Sequence, residues 1–157
     1  MPDTTFKREK KTDRPVIALC YDFDKTLSPD DMQAQGYIQT VQPEGSDMIG
    51  DFWRESNGRA TANNMDKNLA YMYTMKKKAR GQIVFTKEKL AEYGSQVALF
   101  PGVEDWFKRI RDYGDDKGII VEHYIISSGL KEMIEGTSIA KEFKELYATS
   151  FYFADDG

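Results

Sequence analysis

Two aspartates, Asp22 and Asp24, stand two residues apart directly after an apolar run, Val16 to Tyr21. The run follows Pro15 and carries no charge, which predicts a β-strand buried on both faces of a parallel sheet. Open α/β sheets bind ligands at the carboxyl ends of such strands. There, one carboxylate can ligate a hard cation and attack an electrophile while the other exchanges a proton with the leaving group. A polar turn after a core strand is the structural alternative.

A second polar cluster, Ser127, Ser128 and Gly129, follows another apolar strand predicted over residues 119–126. The sequence predicts that this cluster ends the strand and opens a helix. A serine hydroxyl together with backbone N–H groups at a helix N-terminus is suited to binding an anion. Simple capping of the helix is the alternative, and both roles are compatible.

The pattern Asp-x-Asp-x-Thr-Leu after an apolar strand resembles the first motif of the haloacid dehalogenase-like hydrolase superfamily. This resemblance implies that Asp22 is a nucleophile that forms an aspartyl-phosphate, and that Asp24 is the general acid and base. It also implies that Thr26 steadies the loop by hydrogen bonding. An acid at position 24 favours phosphate-ester chemistry, because an alcohol leaving group needs a proton.

The serine cluster resembles the second motif of the phosphoserine-phosphatase-like branch of that superfamily. On this match Ser127 ligates the phosphate, with Ser128 as second choice and Gly129 beside them. The resemblance further implies a Mg²⁺ ion held by Asp22 and Asp24, and an acid near a substrate amine at Asp31. A small phosphorylated metabolite is the expected partner.

Two arginines, Arg54 and Arg59, are candidates to meet a substrate carboxylate. Ordinary surface charge is the alternative for both of them and for Asp31.

The fold predicted from these patterns is α/β, a Rossmann-like parallel sheet core with an inserted helical cap subdomain. Residues 1–14 are expected to be a flexible leader, 15–29 and 100–157 the core, and 30–99 the cap. Apolar stripes predict the cap helices and their own core; the stripes are Met48, Ile49, Phe52 and Trp53, then Met65, Leu69, Met72 and Tyr73, then Leu90 and Tyr93 after a cap at Thr86. Further helices are predicted over 103–114, 131–134 and 138–146, and a third strand over 147–154.

Composition narrows the function. The 22 basic and 26 acidic residues give a net charge of −4, which argues against general nucleic-acid binding. Cys20 is the single cysteine, so no intrachain disulfide forms, and its place in the strand predicts a buried thiol. No apolar run of transmembrane length occurs and the N-terminus lacks a signal-peptide core, so no membrane partner and a cytoplasmic location are expected.

Two superfamily elements have no convincing match: a lysine that neutralises the phosphate, and a final acidic pair that completes the magnesium site. Lys131 and Lys141 come too early in the chain, and Asp155 with Asp156 equally fits a hairpin turn. The sequence therefore predicts the N-terminal portion of a longer phosphatase, with feeble or absent turnover by itself. A catalytically incomplete phosphate-binding or scaffolding module and a phosphotransferase are the alternatives.

Overall fold

Three parallel strands form a sheet in the order β1–β2–β3 in the computed structural model, which describes residues 13–45 and 47–154. The strands are β1 (Val16–Tyr21), β2 (Ile120–Leu130) and β3 (Glu145–Thr149). Tyr21 lies opposite Ile125, and Ile126 lies opposite Tyr147. The predicted α/β class with a parallel sheet is confirmed, and the chain leaves the carboxyl ends of β1 and β2 at one edge.

Six α-helices of the described residues accompany the sheet: α1 (Tyr37–Val41), α2 (Met48–Ala62), α3 (Lys67–Ala79), α4 (Lys87–Gly94), α5 (Val103–Asp116) and α6 (Lys131–Gly136). Four of them lie between β1 and α5, where the sequence predicts helices alone. Asp47, Asp66 and Thr86 each cap a helix by accepting a hydrogen bond from a backbone amide in its first turn. The predicted start of α4 at Thr86 is confirmed.

Helices and sheet share one apolar core. Phe23 and Ile125, at the sheet, belong to the same buried cluster as Phe52 of α2 and Met75 of α3. This differs from the prediction that the helical stripes enclose a separate core. The α3 stripe is also rotated from the predicted one, since Leu69 and Tyr73 are exposed while Ala70, Tyr71 and Met75 are buried.

One face of the sheet is open, which corrects two predictions. Helix α5 covers the face that carries Leu19 and Val121. On the other face Val16 is 45% exposed and Cys20 is exposed as well. The prediction of a strand buried on both faces was wrong, and so was that of a buried Cys20 thiol, because no described element packs over this face.

The second half of the chain departs from the predicted boundaries. Strand β2 continues through the serine cluster to Leu130, with an irregular register between Ile126 and Leu130. A 3₁₀ turn at Ala140–Glu142 replaces the helix predicted over 138–146. Pairing with β2 takes residues 145–149 into the sheet instead, so β3 begins and ends earlier than predicted.

Asp155, Asp156 and most of the predicted leader lie outside the described residues. Within residues 13–45 and 47–154, no helix is both long and apolar enough to cross a membrane.

Candidate active site

The loop after β1 directs the two aspartates out of the core. Amides of Thr26, Leu27 and Ser28 all donate to the carbonyl oxygen of Phe23, at 3.2, 2.9 and 3.2 Å. The Phe23 side chain is fully buried and anchors this turn. Lys25 adopts a left-handed backbone with φ of 60°, a conformation that costs energy for a non-glycine residue. The tight turn therefore fixes the backbone on both sides of Asp24.

Asp22 is exposed at the tip of β1. Its Oδ1 accepts a hydrogen bond of 2.7 Å from the amide of Phe23. Because this contact is with its own neighbour in the chain, it holds the carboxylate at the strand tip. The carboxylate is thus accessible from solvent, as an attacking group must be.

Asp24 is partly buried and held more firmly. Its Oδ1 accepts a hydrogen bond of 2.8 Å from the amide of Met32. Burial raises the pKa of Asp24 to about 7, the Met32 hydrogen bond opposes this rise, and the charges of Asp31 and Asp22 add to it. A carboxyl group that is partly protonated near neutral pH can act as either proton donor or proton acceptor.

This raised pKa predicts a pH-dependent stability. Between about pH 4 and pH 7 the native state keeps a proton on Asp24 that the unfolded state has released. The contribution of Asp24 to the free energy of unfolding is therefore fully present below about pH 4 and is lost as the pH rises through about 7. Asp24→Asn should remove this loss and stabilise the protein at pH 8 by about 2 kcal/mol, after allowance for the exposed part of the side chain.

Urea unfolding of the wild type and of Asp24→Asn in EDTA at pH 5, 6, 7 and 8 would check this prediction. The pKa of buried His123 is lowered by desolvation and affects stability in the opposite direction, but His123 is present in both proteins. A difference between the two proteins that does not change with pH would contradict the prediction.

Gly129 is the point at which the two strand tips meet. Ser127 Oγ accepts a hydrogen bond of 3.0 Å from the amide of Gly129. A methyl group at Gly129 would lie 3.2 Å from Asp24 Oδ2, 3.2 Å from Ser127 Oγ and 2.3 Å from Met32 Cε. A residue without a side chain thus lets the acid of the first loop and the hydroxyl of the second approach each other.

The serine cluster forms the end of β2 and leads directly into helix α6. Helix α6 begins at Lys131, where the sequence predicts a helix over 131–134, and its N-cap residue, Leu130, makes no side-chain cap. Ser127 and Ser128 therefore belong to the irregular end of β2, because the strand bulges there before α6 starts. Neither serine caps α6, so the capping alternative was wrong, while Ser127 Oγ and Asp24 Oδ2 each lie 3.2 Å from the Cβ position of Gly129.

The other predicted site residues, Ser128, Asp31 and Thr26, have different surroundings. Ser128 is exposed, and its carbonyl oxygen accepts a 2.8 Å hydrogen bond from the hydroxyl of Tyr71. Asp31 pairs with Lys25 at 3.1 Å. Thr26 is exposed, and among the described residues its side chain makes no hydrogen bond. Only its amide takes part in the turn.

A cavity of about 260 Å³ lies between the sheet edge and helices α2 and α3. Its walls come from both parts of the chain; they are Asp24, Asp31, Gln33, Trp53, Ser56, Asn57, Lys67, Asn68, Tyr71 and Ser128. A larger, open depression of about 560 Å³ lies against α4, but neither Asp22 nor Asp24 lines it. The smaller cavity is lined by Asp24, though not by Asp22 or Ser127, and is therefore the candidate site for the part of the substrate next to Asp24.

Several of these wall residues escaped the sequence analysis. Tyr71 is buried, and burial raises its pKa to about 12, so its hydroxyl keeps its proton and bonds the helices to the sheet edge. Lys67 lines the cavity, whereas Arg54 and Arg59 do not. Arg54 pairs with two acids of its own region, and Arg59 pairs with Glu55 at 3.0 Å. No residue pattern in the sequence distinguishes these three cations.

The acid Glu132 on α6 was also missed. Its side chain is 2% exposed, and its Oε1 accepts hydrogen bonds from Ser150 Oγ at 2.7 Å and from the Phe151 amide at 2.9 Å. Its Oε2 is buried without a partner among the described residues. Glu132 therefore holds the chain just after β3, close to the edge of the sheet.

Metal-ligating groups are sparse. No group of three His, Cys, Asp or Glu side chains suited to a metal occurs in the part of the chain that the structure describes. Lys131 lies 3.9 Å from Glu145, and neither Lys131 nor Lys141 lines the cavity.

Comparison with solved structures identifies proteins of the same fold. A phosphoserine phosphohydrolase-like protein from Francisella tularensis subsp. tularensis SCHU S4 is 15% identical, with a TM-score of 0.56 over 92% of this chain and 62% of that one. A haloacid dehalogenase family hydrolase from Salmonella enterica subsp. enterica serovar Typhi is also 15% identical, with a TM-score of 0.53 over 91% of this chain and 44% of that one. The chain has the haloacid dehalogenase-like α/β fold.

In sequence, the chain is 27% identical over 148 residues to an uncharacterized protein from Borreliella burgdorferi. The match covers 87% of this chain and 50% of that protein, so the chain spans about half the length of this curated relative. No family model matches the sequence.

Proposed function

We propose that this chain, which has the haloacid dehalogenase-like fold, carries the nucleophile and the phosphate pocket of a phosphate monoester hydrolase. The supporting observation is the convergence on Gly129, where Asp24 Oδ2 and Ser127 Oγ each lie 3.2 Å from the same point. A carboxyl group that can give a proton and a hydroxyl that can donate to an anion then face one small space. The general phosphatase character agrees with the phosphatase-like protein of similar fold.

In the first step, a carboxylate oxygen of Asp22 attacks the phosphorus of the substrate. An acyl-phosphate bond forms, and the bond from phosphorus to the leaving alcohol oxygen breaks. Asp24 gives its proton to that oxygen, and its raised pKa suits it for this transfer near neutral pH. Ser127 and the amides of the loop donate to the phosphoryl oxygens as charge develops on them.

In the second step, a water molecule loses a proton to Asp24 and attacks the phosphorus of the acyl-phosphate. The bond to Asp22 breaks, and inorganic phosphate leaves. Asp22 and Asp24 return to their starting states, so the cycle consumes only water and the ester. A phosphotransferase would differ only in the acceptor, which would be an alcohol instead of water.

Magnesium fits the oxygen chemistry of this pocket. Asp22 and Asp24 are hard oxygen donors, and Mg²⁺ commonly takes one or two carboxylates with water and substrate phosphate as further ligands. Asp22 would hold it through its carboxylate and Asp24 through its backbone carbonyl. When bound, the ion offsets the repulsion between the Asp22 carboxylate and the phosphate.

Helices α2 and α3 serve as the cap in this proposal. They supply most of the wall of the 260 Å³ cavity opposite Asp24. The hydrogen bond from Tyr71 to the Ser128 carbonyl ties α3 to the sheet edge. A roof of this kind excludes bulk water and selects the leaving group.

A catalytically incomplete phosphate-binding module is the second candidate. The observation in its favour is that the described residues hold no group of three metal-ligating side chains. Such a module would keep the anion pocket at Gly129 but would not turn substrate over.

An assay that compares an aryl phosphate monoester with the diester of the same alcohol would test the proposal. Slow hydrolysis of the monoester alone is expected, and EDTA should suppress it. Monoester binding without hydrolysis would support the binding module. Equal hydrolysis of both esters, or neither binding nor hydrolysis, would contradict the phosphate pocket.

A further inference from the structure

We propose that Lys67 is a specificity-determining residue that binds a second anionic group on the leaving portion of the substrate. This inference rests on the proposed function, since it assigns the far end of the same cavity.

Lys67 lies about one turn of α3 before Tyr71, whose hydroxyl donates to the Ser128 carbonyl at the sheet edge. It is the first residue of α3 and lines the cavity together with Asp24 and Ser128. A phosphate held at Asp24 would leave the part of the cavity lined by α2 and α3 for the alcohol portion. The whole cavity measures about 260 Å³, which suits a small metabolite.

The ammonium group of Lys67 is available to a ligand. None of the carboxylates in residues 13–45 and 47–154 forms an ion pair with it. Asp66, its neighbour in the chain, directs its carboxylate to the amides of Asn68 and Leu69 at 2.8 and 3.2 Å. Asp31, which also lines the cavity, pairs with Lys25. The other lysines of α3 that point to an acid, Lys77 and Lys78, both pair with Glu55.

A cation at this position opposes the helix dipole. The first turn of a helix carries a partial positive charge, which disfavours lysine and favours an anion. The ammonium group of Lys67 is therefore not stabilised by the dipole of α3. An anionic ligand at the α3 side of the cavity would interact favourably with both the lysine and the helix end.

Neutral donors surround the same end of the cavity. Asn57 and Asn68 line it, and both side chains carry amide N–H groups. Trp53 lines it too, and its indole Nε1 is buried without a hydrogen-bond partner among the described residues. Donors and a cation together select an oxyanion.

The inference predicts a preference between matched esters. 3-Phosphoglycerate and glycerol 3-phosphate differ only in a terminal carboxylate in place of a hydroxymethyl group. The carboxylate should bind about tenfold more tightly, as expected for one charge-assisted contact in a partly enclosed site. 1,3-Propanediol bisphosphate carries a second phosphate instead and tells which oxyanion the site favours.

Calorimetric titration of the Asp22→Asn protein in constant magnesium measures binding without turnover. Addition of Lys67→Met should bring the affinity ratio of the first two ligands to about one and should leave glycerol 3-phosphate binding within about twofold. Lys76→Met is the matched control, because Lys76 is exposed in the last turn of α3 and does not line the cavity. It should leave the ratio unchanged.

The possible results separate this inference from the proposed function. Equal binding of 3-phosphoglycerate and glycerol 3-phosphate, unaffected by Lys67→Met, would overturn the role of Lys67 while the phosphate pocket stands. A Lys67-dependent preference, together with no hydrolysis of either ester by the wild-type protein, would support the role of Lys67 and overturn the hydrolase. Absence of binding by all ligands would overturn both.

Discussion

Asp22→Asn should abolish hydrolysis of phosphate monoesters, with kcat/KM falling at least about 10³-fold. The amide cannot form the acyl-phosphate, and the other carboxylate at this tip, Asp24, is held by the amide of Met32 and serves as the proton donor. The fold should be unaffected, because the Asp22 side chain is exposed and bonds only to the next amide in the chain. An amide oxygen can accept that hydrogen bond equally well.

Asp30→Asn is the matched control for this experiment. Asp30 is exposed in the same segment, and it likewise accepts a hydrogen bond from the next amide, at 2.8 Å. It does not line the cavity. The control should retain at least half of the activity. Comparable activity in Asp22→Asn and wild type would show that another group attacks the phosphorus.

The second large effect concerns stability and the glycines between α4 and α6. A Cβ at Gly94 would lie 1.9 Å from the carbonyl oxygen of Met133, and one at Gly136 would lie 2.0 Å from that of Ala91. Both contacts are with backbone, which a rotamer change cannot relieve. Gly94→Ala should therefore separate the two helices and destabilise the protein by about 3 kcal/mol or more.

Urea unfolding compares this variant with Gly58→Ala. Gly58 is exposed inside α2, and nothing lies within 4 Å of its Cβ position. The alanine there should stabilise the protein by about 0.5–1 kcal/mol through helix propensity. If both variants change the free energy of unfolding equally, α4 and α6 do not pack as closely as described.

The sequence was most informative where chemistry and strand pattern coincide. Asp22 and Ser127 each follow an apolar strand, and parallel pairing in register brings their strand tips to one edge. The caps and turns of the helical segment were also readable, as Thr86 demonstrates. These features depend on local residue order, so a single sequence contains them.

The cavity wall was not readable in this way. Lys67, Tyr71 and Trp53 reach the cavity because α2 and α3 pack against the sheet edge, and the angle of that packing is a tertiary property. Lys67 and Arg54 look alike in the sequence, yet one lines the cavity and the other pairs with surface acids. The exposure of Cys20 was unpredictable for a related reason, since an apolar run does not reveal what covers it.

Fluorine NMR with beryllium fluoride tests the central claim most directly, because this phosphoryl mimic bonds to a carboxylate oxygen. With magnesium present, the wild-type chain and Asp30→Asn should both give a bound fluoride resonance, and Asp22→Asn should give none. A bound resonance that survives Asp22→Asn, or no bound resonance in the wild type, would contradict the assignment of Asp22 as the phosphate-accepting carboxylate.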